Sequence, residues 1–159
     1  MSTGIVSAIN VSRGGVPKEG VFEALVTESG LNGDQQADRR FHGGPDRAVV
    51  VFSLEVIQAL QREGHPIGVG TTGENLTLSG LDWGQIEPGV ELHVGETRLL
   101  IVKYASPCEK IGRSFLQDDF SRISQNLYSG WSRLCARVLT GGIVHVNDRV
   151  DAVKCGAGL

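Results

Sequence analysis

The residues best equipped for chemistry fall in two stretches. The first runs from Gly33 to Arg47 and holds Asp34, Asp38 and Asp46, Arg39, Arg40 and Arg47, His42 and a Gly43-Gly44-Pro45 break. Glycine loses too much backbone freedom for a helix interior, and proline lacks the donor. Ala37 and Phe41 do not alternate, so a strand is equally disfavoured. What is left is an irregular loop dense in donors, acceptors and charge, longer than the roughly 4–6 residues that usually connect elements. A functional loop is the leading reading, and a solvated one whose arginines pair with its own aspartates is the alternative. His42 suits three roles: hydrogen-bonding a ligand, ligating a metal with Asp34 and Asp38, or bracing its own loop. Arg40, Arg47, Arg133 and Arg137 are candidates for an anion such as phosphate, through forked charge-assisted bonds.

The second stretch is Pro107-Cys108, followed by Glu109, Lys110 and Arg113. Proline stiffens the approach, so the sulfur is better directed than on a free loop. If a helix follows, unpaired amides and nearby cations at its start favour thiolate, the form that attacks and binds metals. The alternative is a small buried hydrophobe, the fate expected for Cys135 and Cys155. A third polar stretch ends in Glu74-Asn75, an acceptor-only carboxylate beside an amide that both donates and accepts. That pair suits the edge of a heterocycle, and it also suits a simple turn. No Walker loop, Rossmann fingerprint or Gly-x-Ser-x-Gly elbow occurs.

The elements that must position these groups are mostly short strands. Residues 5–12 and 21–27 read as strands on either side of a Gly14-Gly15 turn. Ala48 to Phe52 is a continuous apolar run, as in a strand covered on both faces. Ser53 N-caps a helix through Glu63, and Gly64 stops it. Residues 89–95 and 97–104 form a hairpin turning at Gly95-Glu96 and running straight into Pro107-Cys108. The stretch from Glu109 to Leu127 is helical in pieces. Trp131 to Leu139 alternates, with Leu134, Ala136 and Val138 on one face and Arg133, Cys135 and Arg137 on the other. Val6, Val50, Leu76, Leu100, Leu134 and Val138 are the expected core. Residues 154–159 are expected to fray. The pattern is β-rich (α+β), a barrel or sandwich with helices laid over its openings.

The totals agree with one domain, core residues about 7–153. The chain has 159 residues, 40% apolar and 21% charged, with 22 dispersed glycines that suit tight turns. Its net charge of -3 argues against a general nucleic-acid binder. No apolar run nears a membrane span, and Met1 to Gly4 does not open a secretory signal. Three widely spaced cysteines, Cys108, Cys135 and Cys155, make a poor disulfide framework and fit a reducing cytoplasm.

Taken in order, the Gly33–Ala48 stretch, Gly73-Glu74-Asn75-Leu76, Pro107-Cys108 and Arg137-Val138-Leu139 before Asp148 resemble the stand-alone MOSC-domain proteins, named after the C-terminal domain of molybdenum-cofactor sulfurases. The resemblance runs from about Ser7 to Val153. It implies a closed β-barrel of complex topology with peripheral helices, and molybdenum-cofactor (molybdopterin) and sulfur chemistry. Related members reduce N-hydroxylated bases. By this resemblance Cys108 is the catalytic residue and metal ligand, or else carries a persulfide. Asp34, Asp38, Arg40, His42, Gly43, Gly44, Arg47, Glu74, Asn75 and Arg137 are then the expected cofactor contacts. Pyridoxal phosphate is also associated with the family, although no Schiff-base lysine signature accompanies it here. The implied partners are a small-molecule substrate and a separate electron-donor or sulfur-donor protein. The pattern departs at Ala105, where some relatives carry arginine. Three functions follow as expectations: an oxidoreductase domain, a sulfur carrier, or a non-catalytic binding module.

Overall fold

The computed structural model describes residues 2–12, 16–34 and 44–154. Its strands are β1 (Thr3–Val11), β2 (Glu19–Val21), β3 (Glu23–Thr27), β4 (Gly30–Leu31), β5 (Val49–Ser53), β6 (Leu76–Ser79), β7 (Val90–Val94), β8 (Thr97–Tyr104), β9 (Leu134–Thr140), β10 (Gly142–His145) and β11 (Arg149–Lys154). Seven of them pair in the order β11-β7-β8-β9-β5-β6-β1, and β1 pairs back onto β11 to close a barrel. The pairing of β5 with β6 is parallel. A parallel connection needs a crossover, and α1 (Leu54–Arg62) supplies it. β10, β3 and β4 form a small separate sheet.

Side-chain alternation builds the main core. Val49 and Val51 of β5, Leu76 and Leu78 of β6, Leu99 and Ile101 of β8, and Leu134, Ala136 and Val138 of β9 all bury into one cluster. The hairpin and the capped helix form as the sequence predicts. Ser53 Oγ accepts from the Val56 amide at 3.2 Å, and Gly64 takes φ +100° just past the helix.

Some of these expectations need correction. Leu100 is only half-buried, because its neighbour Leu99 points inward. Val50 is buried, but in a second cluster outside the main core. A bulge between Val6 and Ala8 shifts the register of β1, and Val6 joins Ile9 as fully buried. The predicted strands at 21–27 and 131–139 are shorter: the first breaks at Phe22, and the second starts at Leu134. Lys154 ends β11 rather than beginning a loose tail.

Between β8 and β9 the chain forms three 3-10 turns, Glu109–Ser114, Leu116–Asp118 and Phe120–Ile123. Arg122 fastens this segment. Its guanidinium lies 4.3 Å from the Tyr128 ring centre and 4.1 Å from that of Trp131, and forks onto Glu63 at 2.9 and 2.8 Å. Among the described residues, no helix is long and apolar enough to cross a membrane.

Candidate functional site

The Glu74-Asn75 stretch and the approach to Cys108 meet at Val50. Alternation turns this residue away from Val49 and Val51, and it packs with Ala105 and Cys135, with Val102 against them. Its backbone is read by Asn75. The Asn75 amide donates to the Val50 carbonyl at 2.7 Å, and the Val50 amide donates to Asn75 Oδ1 at 2.9 Å. One residue of β5 thus fixes the lead-in to β6, the start of β9 and the end of β8.

Asn75 also reaches the first loop, its Nδ2 donating to Asp34 at 2.8 Å. Asp34 accepts further from the Ser12 amide at 2.8 Å and from Lys18 Nζ at 2.6 Å. The Lys18 and Asp34 side chains are only 6% and 4% exposed. Lys18 is held from its backbone as well, its amide donating to the Gly70 carbonyl at 2.9 Å. Gly70 sits at φ +80°, and a Cβ there would lie 2.5 Å from the Lys18 carbonyl, so glycine is what this approach requires.

Glu74 is completely buried. One carboxylate oxygen accepts from the Gly70 amide at 3.0 Å and the Thr77 hydroxyl at 3.1 Å, and the other from the Thr72 hydroxyl at 2.9 Å. Burial pushes its carboxyl above the ordinary value, and these donors pull against that. Asp34, Glu74 and Asn75 are among the expected cofactor contacts. Their polar atoms are engaged within the protein, where each ties together loops that would otherwise leave buried groups unsatisfied.

Arg133 joins the second loop to the third. Its guanidinium donates to the Thr72 carbonyl at 2.7 Å and the Ser106 carbonyl at 3.4 Å. The Ala105 amide donates to the Arg133 carbonyl at 3.0 Å, which ties the approach to Cys108 onto the start of β9. Arg133 is 5% exposed, and its Nε has no hydrogen-bond partner among the described residues. Burial and the charge of Arg47 lower its pKa from the ordinary value, while the Cys135 and Cys108 thiols and Glu74 act the other way. Cys108 itself is half-buried and precedes a 3-10 turn rather than the α-helix that was considered. Cys135 is fully buried and stands opposite Val50 on one side and Lys103 on the other. Burial raises its thiol pKa, opposed by the charges of Arg47, Arg133 and Lys103.

At the rim of this face Arg137 donates from Nε to Asp46 at 3.0 Å, both side chains being half exposed. Gly44 takes φ +95° and faces open space. Asp38, Arg40, His42 and Gly43 lie outside the described residues, as does Cys155. The metal site of His42, Asp34 and Asp38 loses a free Asp34, which is committed to Lys18. Among the described residues no three His, Cys, Asp or Glu side chains gather to hold a bare ion. Sequence reasoning missed Lys18, whose partner lies 16 positions away, whereas Cys135 is the small buried side chain that was expected. The alternation of Arg133, Cys135 and Arg137 was the available signal for a charged face.

A MOSC domain family model matches residues 38–151. Protein YiiM of Escherichia coli (strain K12) is 33% identical over 114 residues, spanning 69% of this chain and 51% of that protein. The uncharacterized protein YflK of Bacillus subtilis (strain 168) is 28% identical over 134 residues, spanning 83% of this chain and 59% of its own length. This chain therefore spans little more than half the length of these two relatives. The crystal structure of YiiM from Geobacillus stearothermophilus shares the fold, with a TM-score of 0.76 at 24% identity over 98% of this chain and 77% of that one. That of YiiM from Escherichia coli gives 0.73 at 25% identity over 96% and 70%.

Proposed function

The chain belongs to the MOSC-domain family, and from that premise we propose that it is a molybdenum-cofactor-binding oxidoreductase domain acting on N-hydroxylated substrates. Cys108 would be the thiolate that holds the metal. The observation that carries this reading is the placement of Cys108: a half-buried thiol, on a loop fastened by Arg133, beside a face lined by cations. A fixed, partly open soft donor suits a metal whose other ligands are also sulfur. The unpartnered Nε of Arg133 is a buried donor left for an acceptor from outside the chain, which suits an anionic cofactor.

When bound, the cofactor would supply the two-electron chemistry that turns an N-hydroxyl group into N–H and water, with two protons taken up. The chain's own groups orient and retain. Arg47, Arg133 and Arg137 supply positive charge, and Asp38, Arg40, His42, Gly43 and Gly44 are the loop positions expected to contact the cofactor. Lys18, Asp34, Glu74 and Asn75 keep the loops in register. Pyridoxal phosphate is left out of this reading, since the buried lysine, Lys18, is committed to Asp34. Electrons would come from a separate donor protein.

Metal and pterin analysis of the chain purified from a cofactor-making host tests the proposal. Near-stoichiometric molybdenum and pterin in the wild type, lost in Cys108→Ser, are expected. Sulfane sulfur on Cys108 without metal would instead favour the sulfur carrier. Neither would leave a non-catalytic binding module.

A further inference from the structure

Trp83, in the 3-10 turn Trp83–Gln85, and Tyr104, at the end of β8, line a cavity of about 140 Å³ with Glu87, Gln125, Ser129 and Leu134 among their neighbours. The register pairs Tyr104 with Leu134, whose side chain belongs to the main core, whereas the adjacent Cys135 belongs to the second cluster. The cavity therefore lies across the wall of β8 and β9 from Cys135. Its lining includes neither Cys108 nor Arg133, so it stands apart from the reading of Cys108 as a metal ligand.

Most polar groups around the cavity are already engaged. Trp83 Nε1 donates to the Ser132 carbonyl at 2.9 Å, and the Ser132 hydroxyl donates to the Arg133 carbonyl at 2.7 Å. Gln125 donates from Nε2 to Ser129 Oγ at 3.1 Å, and its Oε1 accepts from the Gly130 amide at 3.1 Å. These bonds hold the walls in place. The Glu87 carboxylate and the Tyr104 hydroxyl make no hydrogen bond to any described residue, which leaves both for a ligand.

Among the described residues of the lining, Glu87 alone carries a charge. Burial, and after it the charge of Glu87, pushes the Tyr104 hydroxyl above its ordinary value. The phenol thus stays neutral at neutral pH and keeps lone pairs for an incoming donor. An anion would meet the Glu87 carboxylate with no lining cation to offset the repulsion. A cation gains a charge-assisted bond there, and tryptophan and tyrosine rings attract it as well. A cavity of roughly 150 Å³ is enough for a benzene ring, which sets the size.

We propose that this cavity binds a small primary ammonium, about the size of a benzene ring carrying one aminomethyl group. Its N–H groups donate to the Glu87 carboxylate and the Tyr104 oxygen, and Trp83 forms its aromatic wall.

The test is calorimetric titration of the full chain with benzylammonium chloride at neutral pH, beside benzyl alcohol and benzoate as neutral and anionic comparators. One equivalent of benzylammonium should bind saturably, benzyl alcohol at least about tenfold more weakly, and benzoate not at all. Glu87→Gln, an exposed change, should weaken benzylammonium by about tenfold and leave benzyl alcohol unaffected. Tyr104→Phe keeps the ring but loses the acceptor, and should weaken benzylammonium roughly threefold. Glu28→Gln, exposed in the turn between β3 and β4, removes the same charge and should change nothing. Absence of saturable benzylammonium binding overturns the proposal. So does wild-type affinity in Glu87→Gln, or benzyl alcohol bound as tightly as the cation. A surface change such as Glu87→Gln is well tolerated, so it decides the matter even if Tyr104→Phe fails to fold. Molybdenum analysis is a separate measurement, so failure of the Cys108 reading and failure of this one are told apart.

Discussion

Lys18 and Asp34 form a buried ion pair, Nζ to carboxylate 2.6 Å, that joins the turn after β1 to the residue preceding the 35–43 stretch. Asn75 completes it from the third side. Removing one partner of such a pair leaves the other charge buried and uncompensated, at a cost of about 3–5 kcal/mol. Lys18→Met and Asp34→Leu should each show a loss of that order in urea unfolding. The double variant should lose less than the sum, because no orphaned charge is left. Strict additivity in the cycle would show that the two groups do not act as a pair.

Glu74 gives the fold a pH dependence of defined sign. Its carboxyl pKa in the folded protein is raised above the ordinary 4.5 by burial. The folded state therefore holds a proton more readily than the unfolded chain, and stability is greatest below 4.5 and declines as pH rises through the folded value. Glu74→Gln fits the same cage, since its carbonyl can accept from Gly70 and its amide can donate to the Thr72 oxygen. In that variant the decline above pH 4.5 should flatten, as read from urea midpoints at several pH values. An unchanged profile would place the titration elsewhere.

Arg122 should matter more than its place near the surface implies. It stacks between Tyr128 and Trp131 and forks onto Glu63. Lysine keeps the charge but loses both the planar stacking and the fork. Arg122→Lys should lower stability by about 1 kcal/mol, with faster hydrogen exchange in residues 109–131 while β7 and β8 keep their protection. Uniform change across the barrel would mean that this contact does not fasten the segment.

Local signals were readable in the sequence, and long-range ones were not. The hairpin turn at Gly95-Glu96 and the cap at Ser53 are set by residues a few positions apart, and both formed as expected. The barrel followed from the strand pattern together with the family resemblance, whereas the bulge in β1 depends on how its partner strand β6 is registered. The roles of Arg133 illustrate the limit. Its partners are backbone carbonyls 61 and 27 positions away, and a carbonyl carries no sequence signature. Asn75 and Glu74 were noticed for their polarity, but only burial distinguishes a group that faces a ligand from one that braces a loop.

The two described thiols should separate cleanly. Cys108 is half-buried and Cys135 fully buried, so alkylation at near-neutral pH should label Cys108 first in cofactor-free protein. Burial also raises the Cys135 pKa, which lowers its thiolate fraction. Cys108→Ser should leave the urea midpoint nearly unchanged, while metal retention and any reductase activity are lost, since a hydroxyl is a harder and less acidic donor. Cys135→Ser should do the reverse. It puts a hydroxyl into the small apolar cluster with Val50 and Ala105, at roughly 1–3 kcal/mol if no acceptor is found, and should leave metal binding in place once folded. Full activity and metal content in Cys108→Ser would overturn its role as the ligand, whereas a misfolded Cys108→Ser would mark that thiol as structural.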